Sequence, residues 1–231
     1  MKARLMAGVL GIVMAVSFAF AEDFVTSVAP GSKAMLFSFS GLSNLGANTF
    51  NGGLGGKYFL TDVLALRGSL NYGHSHADVY PDPLPVTGQT EYDGFDNLTT
   101  MGISVGAEYH FGKARVSPYA GGQFLLSYTT SDSKDAGTAT PPNVFYQTEF
   151  QDISPAAGTT FQISALAGVE FFLTKELSLS AEYQFGFSSL SHSDAKMIQQ
   201  TPTGTQTTTA KIAGSSAFNV STTLLTLSVY F

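Results

Sequence analysis

The sequence predicts an all-β fold, an eight-stranded antiparallel up-and-down transmembrane β-barrel. Three observations carry this. Apolar and polar residues alternate with period two in eight separate stretches, each near or above the roughly 9–11 residues that a tilted membrane strand needs. Tight turns and long polar loops follow one another between these stretches. Charged residues make up 12% of the chain, against 24 Gly and 19 Phe, and that is about half the usual charged share of a globular domain. A half-apolar strand in a soluble sheet needs a covering layer, and in a bilayer the lipid supplies it.

The N-terminus reads as an export signal. Lys2 and Arg4 precede an apolar run at 5–18, which ends at Ala19-Phe20-Ala21. A basic start, a short apolar run and an A-x-A site define a secretory signal peptide, residues 1–21, cut after Ala21. The alternative, an uncleaved anchor, is disfavoured because the run is shorter than the roughly 20 residues of a spanning helix. A short periplasmic segment, 22–32, and the barrel, 33–231, are expected to follow. Removing Lys2 and Arg4 from the eleven basic residues leaves nine against seventeen acidic ones. This acidic balance, with no basic stripe, argues against nucleic acid as a partner. The chain has no Cys, so no disulfide framework and no Cys-linked lipid are expected.

The first strand is expected at 34–42, with Met35, Phe37 and Phe39 opposite Ser38 and Ser40. The second, 52–60, sets Leu54, Tyr58 and Leu60 against Gly53, Gly55 and Lys57, and Thr61-Asp62 makes a tight turn. The third, 63–73, sets Leu64, Leu66, Leu70 and Tyr72 against Ala65, Arg67, Ser69 and Asn71. A long loop at about 74–97 follows, with Pro81, Pro83 and Pro85. The fourth strand, 99–111, opposes Met101, Ile103, Val105, Ala107, Tyr109 and Phe111 to Gly102, Ser104, Gly106, Glu108 and His110. After a turn at 112–115 the fifth, 116–129, places Val116, Phe124, Leu126 and Tyr128 against Ser117, Gln123 and Ser127. Pro118 lacks a ladder donor, and a bulge near the turn is expected to absorb it. A second long loop covers about 130–158. The sixth strand, 160–173, opposes Phe161, Ile163, Val169 and Phe171 to Gln162, Ser164, Gly168 and Glu170. After a turn at 174–176, the seventh, 177–189, is the cleanest, with Leu177, Leu179, Ala181, Tyr183, Phe185 and Phe187 opposite Ser178, Ser180, Glu182, Gln184 and Gly186. A third long loop, about 191–217, leads to the eighth strand. There Thr223, Leu225, Leu227, Val229 and Phe231 face one way and Thr222, Leu224, Thr226, Ser228 and Tyr230 the other.

Short turns on one side and long loops on the other are the asymmetry of outer-membrane barrels, whose short turns are periplasmic. A soluble lipocalin-like barrel also alternates, but there the apolar face points inward. Here the polar face is rich in small Gly and Ser, which fit a lumen. Tyr58, Tyr72, Tyr109, Tyr128 and Tyr183 are candidates for the membrane interface, where aromatic girdles belong.

These features resemble the OmpA/OmpX-type family of small outer-membrane β-barrels. Gly55-Gly56-Lys57-Tyr58-Phe59-Leu60-Thr61-Asp62, followed by Leu64-Ala65-Leu66-Arg67, looks like that family's strand–turn–strand. Ser117-Pro118-Tyr119-Ala120-Gly121-Gly122 looks like its PY-x-G-G strand start. The resemblance implies residence in the cell outer membrane, contact with its lipid and lipopolysaccharide, and delivery by the outer-membrane insertion machinery. The row Leu225, Leu227, Val229 and Phe231 is the implied C-terminal assembly signal. The sequence departs from full-length OmpA in carrying no periplasmic peptidoglycan-binding domain after the barrel, so a cell-wall tether is not expected.

Parity points Lys57, Arg67, Glu108, His110, Glu170 and Glu182 into the lumen. An eight-stranded barrel is only just wide enough for its side chains, and an unpaired buried charge is costly. A hydrogen-bonded network in the lower barrel follows, acting either as a gate or as a polar plug; the plug is the favoured reading. His74, His76 and Asp78 have strand spacing for a metal site, and Ser191, His192, Ser193 and Asp194 contain hydrolase residue types. Both clusters read more simply as solvated loop residues. No cofactor, metal or catalytic set is therefore expected. The lead function is non-enzymatic: a structural envelope protein, adhesive towards an unknown extracellular ligand through its outer loops. The alternatives are a narrow porin-like channel for ions or small hydrophobic solutes, and a lipid-modifying enzyme.

Overall fold

Period-two alternation becomes an inside and an outside when a sheet closes on itself. The computed structural model describes residues 28–39, 49–81, 88–139, 144–220 and 224–231. Its strands are β1 (Lys33–Phe39), β2 (Thr49–Phe59), β3 (Leu64–Val79), β4 (Thr90–Tyr92), β5 (Gly94–His110), β6 (Val116–Lys134), β7 (Gly137–Ala139), β8 (Thr148–Gln151), β9 (Gly158–Phe172), β10 (Leu177–His192), β11 (Ala195–Thr201), β12 (Gly204–Ala210), β13 (Ser215–Val220) and β14 (Leu224–Tyr230). Eight of them form a closed antiparallel ring in the order β1-β2-β3-β5-β6-β9-β10-β14, with β14 pairing back to β1. The proposed signal peptide, residues 22–27 of the segment after it, Ser40 with the expected end of the first strand at 40–42, Pro83, Pro85, Thr222 and Thr223 lie outside the described residues.

The outward row is apolar and exposed. Leu70, Met101, Ile103, Val105, Phe124 and Phe185 each show half or more of their surface, and all five interface tyrosines are on this face. A wall of this kind in water would be an aggregation surface; in a bilayer it is the lipid contact. Tight turns close one end: Leu60 N–H donates to the Leu64 carbonyl at 2.8 Å, and Leu173 N–H to the Leu177 carbonyl at 2.8 Å. Short turns mark the periplasmic end in outer-membrane barrels.

The structure corrects three expectations. Among the described residues, the expected loops at 74–97 and 191–217 are largely strand, and the one at 130–158 is strand for about half of its length. β3 and β5 stay paired up to Val79↔Gly94, and β6 runs to Lys134. β8 joins β6, β11 joins β8, and β12 ends that sheet. Water, not lipid, surrounds these segments, so His, Ser, Thr and Asp replace the apolar row and the alternation fades while the ladder continues. Pro118 needs no bulge. The β5–β6 ladder ends at His110↔Tyr119, and the Pro118 carbonyl accepts from Phe111 N–H at 2.8 Å. The donor that proline lacks would face this frayed end. Finally, the closing strand is not one unbroken register. β13 pairs β10 as Phe185↔Val220, whereas β14 pairs it as Glu182↔Leu224, a difference of one residue. Such a shift exchanges inside and outside, and Phe218 accordingly packs on outward Phe185 and Phe187 although it is even-numbered.

Candidate functional site

The six ionisable residues singled out in the lumen come from five strands, and the ring brings them together. Lys57 on β2 lies between two carboxylates, in contact with Glu108 of β5 and 3.3 Å from Glu170 Oε2 of β9. Arg67 on β3 forks onto Glu182 of β10, with Nη1–Oε2 at 2.5 Å and Nη2–Oε1 at 2.8 Å, and its Nη1 lies 3.3 Å from Glu108 Oε2. A planar guanidinium suits this two-point contact in a way that an ammonium does not.

Neutral partners complete the set, and sequence reasoning did not single them out as members. Gln123 Oε1 accepts from Arg67 Nε at 3.1 Å. Tyr119 O–H donates to Glu182 Oε2 at 3.0 Å, Tyr230 O–H to Glu170 Oε1 at 2.6 Å, and Ser178 O–H also to Glu170. Each occupies an inward position by parity, so the signal was present once the lumen row was followed by position rather than by charge. Gly168 makes room for one of them, because a Cβ there would sit 2.5 Å from the Tyr119 hydroxyl.

His110 joins from below. Its Nδ1 lies 3.0 Å from Ser117 Oγ, whose hydroxyl donates to the Gly112 carbonyl at 2.8 Å. Its Nε2 lies 3.3 Å from Glu108 Oε1. Three carboxylates are thus set against two cations, Lys57 and Arg67, with His110 hydrogen-bonded beside them.

Beneath the charges lies an apolar floor. Phe59, Phe172 and Tyr230, the lowest inward residues of their strands, are buried with Ala34, Leu36, Ala65 and Val28. Ring centroids are 5.5 Å apart for Phe172–Tyr230 and 6.3 Å for Phe59–Tyr230. Above the charges is a small polar cavity of about 50 Å³, lined among others by Ser69, Asn71, Ser104, Gln123, Thr226 and Ser228.

The two clusters considered for chemistry do not converge. β3 and β10 stand four strands apart in either direction round the ring. His76 is engaged by Asn97 Oδ1 at 2.6 Å and Asp78 Oδ1 at 3.1 Å, and His74 by Thr99 at 3.1 Å. His76 lies twelve residues above the start of β3, beyond the length that a bilayer needs, and the hydrogen bonds to Asn97 and then Asp78 hold its pKa above the ordinary value. His192 Nδ1 is buried without a partner, so no serine hydroxyl is bonded to that nitrogen. Among the described residues no group of three or more His, Cys, Asp and Glu is arranged to hold a metal. At the end of the chain Leu225, Leu227, Val229 and Phe231 share the lipid face of β14, and Phe231 N–H donates to the Lys33 carbonyl at 2.9 Å.

A family model described as "Outer membrane protein beta-barrel domain" matches residues 7–224. No curated protein sequence matches the chain. Among solved structures, the chain is similar to a major outer membrane protein from Thermus thermophilus, at 13% identity and a TM-score of 0.44, with 87% of this chain and 99% of that one covered. It is also similar to the outer membrane protein OprG from Pseudomonas aeruginosa, at 8% identity and a TM-score of 0.44, with 90% and 99% covered. The attachment invasion locus protein Ail of Yersinia pestis follows, at 10% identity and a TM-score of 0.37, with 87% and 99% covered.

Proposed function

The chain belongs to the family of outer membrane protein β-barrel domains, as a small barrel of OmpA/OmpX type, and on that premise we propose a structural and adhesive role at the cell surface. In this reading the barrel is closed. It anchors a rigid sheet above the membrane, and that sheet binds an extracellular ligand. Charge cluster and floor act together as the plug, and no chemical step is assigned to the barrel. The outward row of β14, from Leu225 to Phe231, serves as the signal that the insertion machinery reads.

One observation carries the adhesive part. β12 ends the sheet β6-β8-β11-β12, and all seven of its residues are exposed. Edge strands are normally blunted by charge, proline or a bulge, yet β12 (Gly-Thr-Gln-Thr-Thr-Thr-Ala) has no charge and no proline. Hydrogen-bonded and non-bonded pairs alternate along an antiparallel ladder. Counting from the closing pair Thr201↔Gly204, the N–H and C=O groups of Thr205, Thr207 and Thr209 point away from β11. Such an edge accepts an extended peptide by strand addition.

The test is to pan a random linear peptide library against the barrel in lipid nanodiscs, and to compare the recovered peptides on wild type and on Thr207→Pro. The proline removes one outward donor and leaves the β11 ladder intact. Binding lost in the variant supports the reading; peptides that bind both equally, or a library that yields none, overturn it.

A further inference from the structure

We propose that the water-tight layer of this barrel is its apolar floor and not the charge cluster above it, with Val28 completing the seal from outside the ring. This goes beyond the closed-barrel reading, on which it rests, by naming the residues that close it.

Room for water lies beside the charges, because Lys57 and Arg67 both line the polar cavity. Its volume of about 50 Å³ exceeds the roughly 10–15 Å³ that one water needs. Ser228, in the cavity wall, carries a buried Oγ with no hydrogen-bond partner in the protein. The Arg67 side chain retains 12% of its exposure, whereas Glu108 and Glu170 lower down retain 0%. Hydration therefore fades downward through the cluster and ends at Phe59, Phe172 and Tyr230.

The floor is built to stay dry. Phe59 and Phe172 are 1% and 2% exposed, and both belong with Val28 to one cluster of buried apolar side chains. Val28 is held there by a small turn. Ser32 N–H donates to the Ala29 carbonyl at 3.0 Å, and Ala29 N–H to Ser32 Oγ at 2.9 Å. Gly31 N–H donates to the Phe59 carbonyl at 2.8 Å, and Phe59 N–H to the Ser32 carbonyl at 3.0 Å. The segment before β1 is thus tied to the same residue whose ring it covers.

The two layers oppose an ion differently. Among the charges a permeating cation meets carboxylates, hydroxyls and amide oxygens that stand in for its water shell. At the floor it meets mainly the side chains of Phe59, Phe172, Ala34, Ala65 and Val28, with the Tyr230 hydroxyl already committed to Glu170, and an ion stripped of water without enough replacement ligands is far more costly. A hydrophobic constriction bars passage by dewetting. The higher barrier is therefore at the floor, and exchanging partners within the cluster alone opens nothing.

The experiment is single-channel recording in planar bilayers with purified, heat-modifiable barrel. Wild type and Glu182→Gln are expected to be silent, and Phe59→Ala/Phe172→Ala to show conductance steps. Folded but silent Phe59→Ala/Phe172→Ala overturns the proposal, as does conductance in Glu182→Gln with the floor intact. If the double variant does not fold, Val28→Asp wets the floor from below without altering a strand. Brief openings are then expected, and silence overturns the proposal. A wild type that conducts refutes the closed-barrel reading instead. The floor is then judged by whether its truncation multiplies that conductance, and an unchanged conductance overturns it.

Discussion

Replacing Arg67 by alanine tests the energetics of the charge cluster most directly. The guanidinium makes two contacts to Glu182, at 2.5 and 2.8 Å, one to Glu108 at 3.3 Å and two to Gln123. Glu108 keeps Lys57 when Arg67 is gone, but Glu182 does not gain another cation. It is left 2% exposed with only Tyr119 and Gln184 as donors. Removing one partner of a buried ion pair typically costs about 3–5 kcal/mol, because the survivor stays buried and uncompensated. The upper half of that range is tempered here by the two neutral donors, so about 3 kcal/mol is expected. With a urea slope of about 1–3 kcal/mol per molar, the midpoint should fall by roughly 1–3 M. The chain has no Trp, so the folded fraction in liposomes is best read from the heat-modifiable gel shift and from circular dichroism. The double variant Arg67→Leu/Glu182→Leu removes both charges and should recover most of the loss, giving a coupling energy of a few kcal/mol. An Arg67→Ala barrel with the wild-type midpoint, or a double variant no better than the single, would refute the reasoning.

Other outcomes follow from the same geometry. Gly168→Ala drives a methyl into Tyr119 and the Ala181 carbonyl, so an overpacking loss of about 1–3 kcal/mol is expected in the same urea assay; an unchanged midpoint would show that the ring has room to move. Asn97→Ala removes the largest cause of the raised His76 pKa, and histidine-resolved NMR titration should place it lower than in wild type. Because the folded value is raised, the His76 contribution to stability is complete below the unfolded value of about 6.5 and is lost as pH rises through the folded value. That contribution should disappear in Asn97→Ala/Asp78→Ala, and a pH dependence that persists there would assign it to another group.

What the sequence made legible follows from what surrounds each segment. The alternation of β10 is clean because lipid faces one side and a narrow lumen the other. Above the membrane that contrast vanishes, so Leu98–Ser75 and Lys196–Gln151 pair with no periodic apolar row to reveal it. The charges were legible by parity, since one step along a strand exchanges lumen for lipid. Phe59 and Phe172 were readable in the same way, two positions from Lys57 and Glu170, but an aromatic residue in an otherwise polar row is easily attributed to the wrong face. Val28 gave no local signal at all. Its place depends on Ser32 and Gly31 meeting the Phe59 backbone, a contact made only after the ring has closed.

The distribution of the cluster over the strands points to a reason for keeping charges in a lumen that could have been filled with leucine. β2, β3, β5, β9 and β10 each supply at least one ionised member, β6 supplies Tyr119 and Gln123, and β14 supplies Tyr230. Seven of the eight ring strands are therefore tied to one centre. A slip of one residue in β3 would send Arg67 towards lipid and Leu66 into the lumen, and an outward Arg or Lys costs about 2–4 kcal/mol at the bilayer midplane and less towards the interface that the lower barrel approaches. The same slip would strand Glu182 inside. A packed apolar lumen would impose no such double penalty, because one leucine replaces another at small cost. The cluster thus selects one register among several that satisfy the backbone, while the floor beneath excludes water. Assigning the two tasks to separate layers explains why Arg67→Ala is expected to weaken the fold, whereas truncating Phe59 and Phe172 is expected to open it.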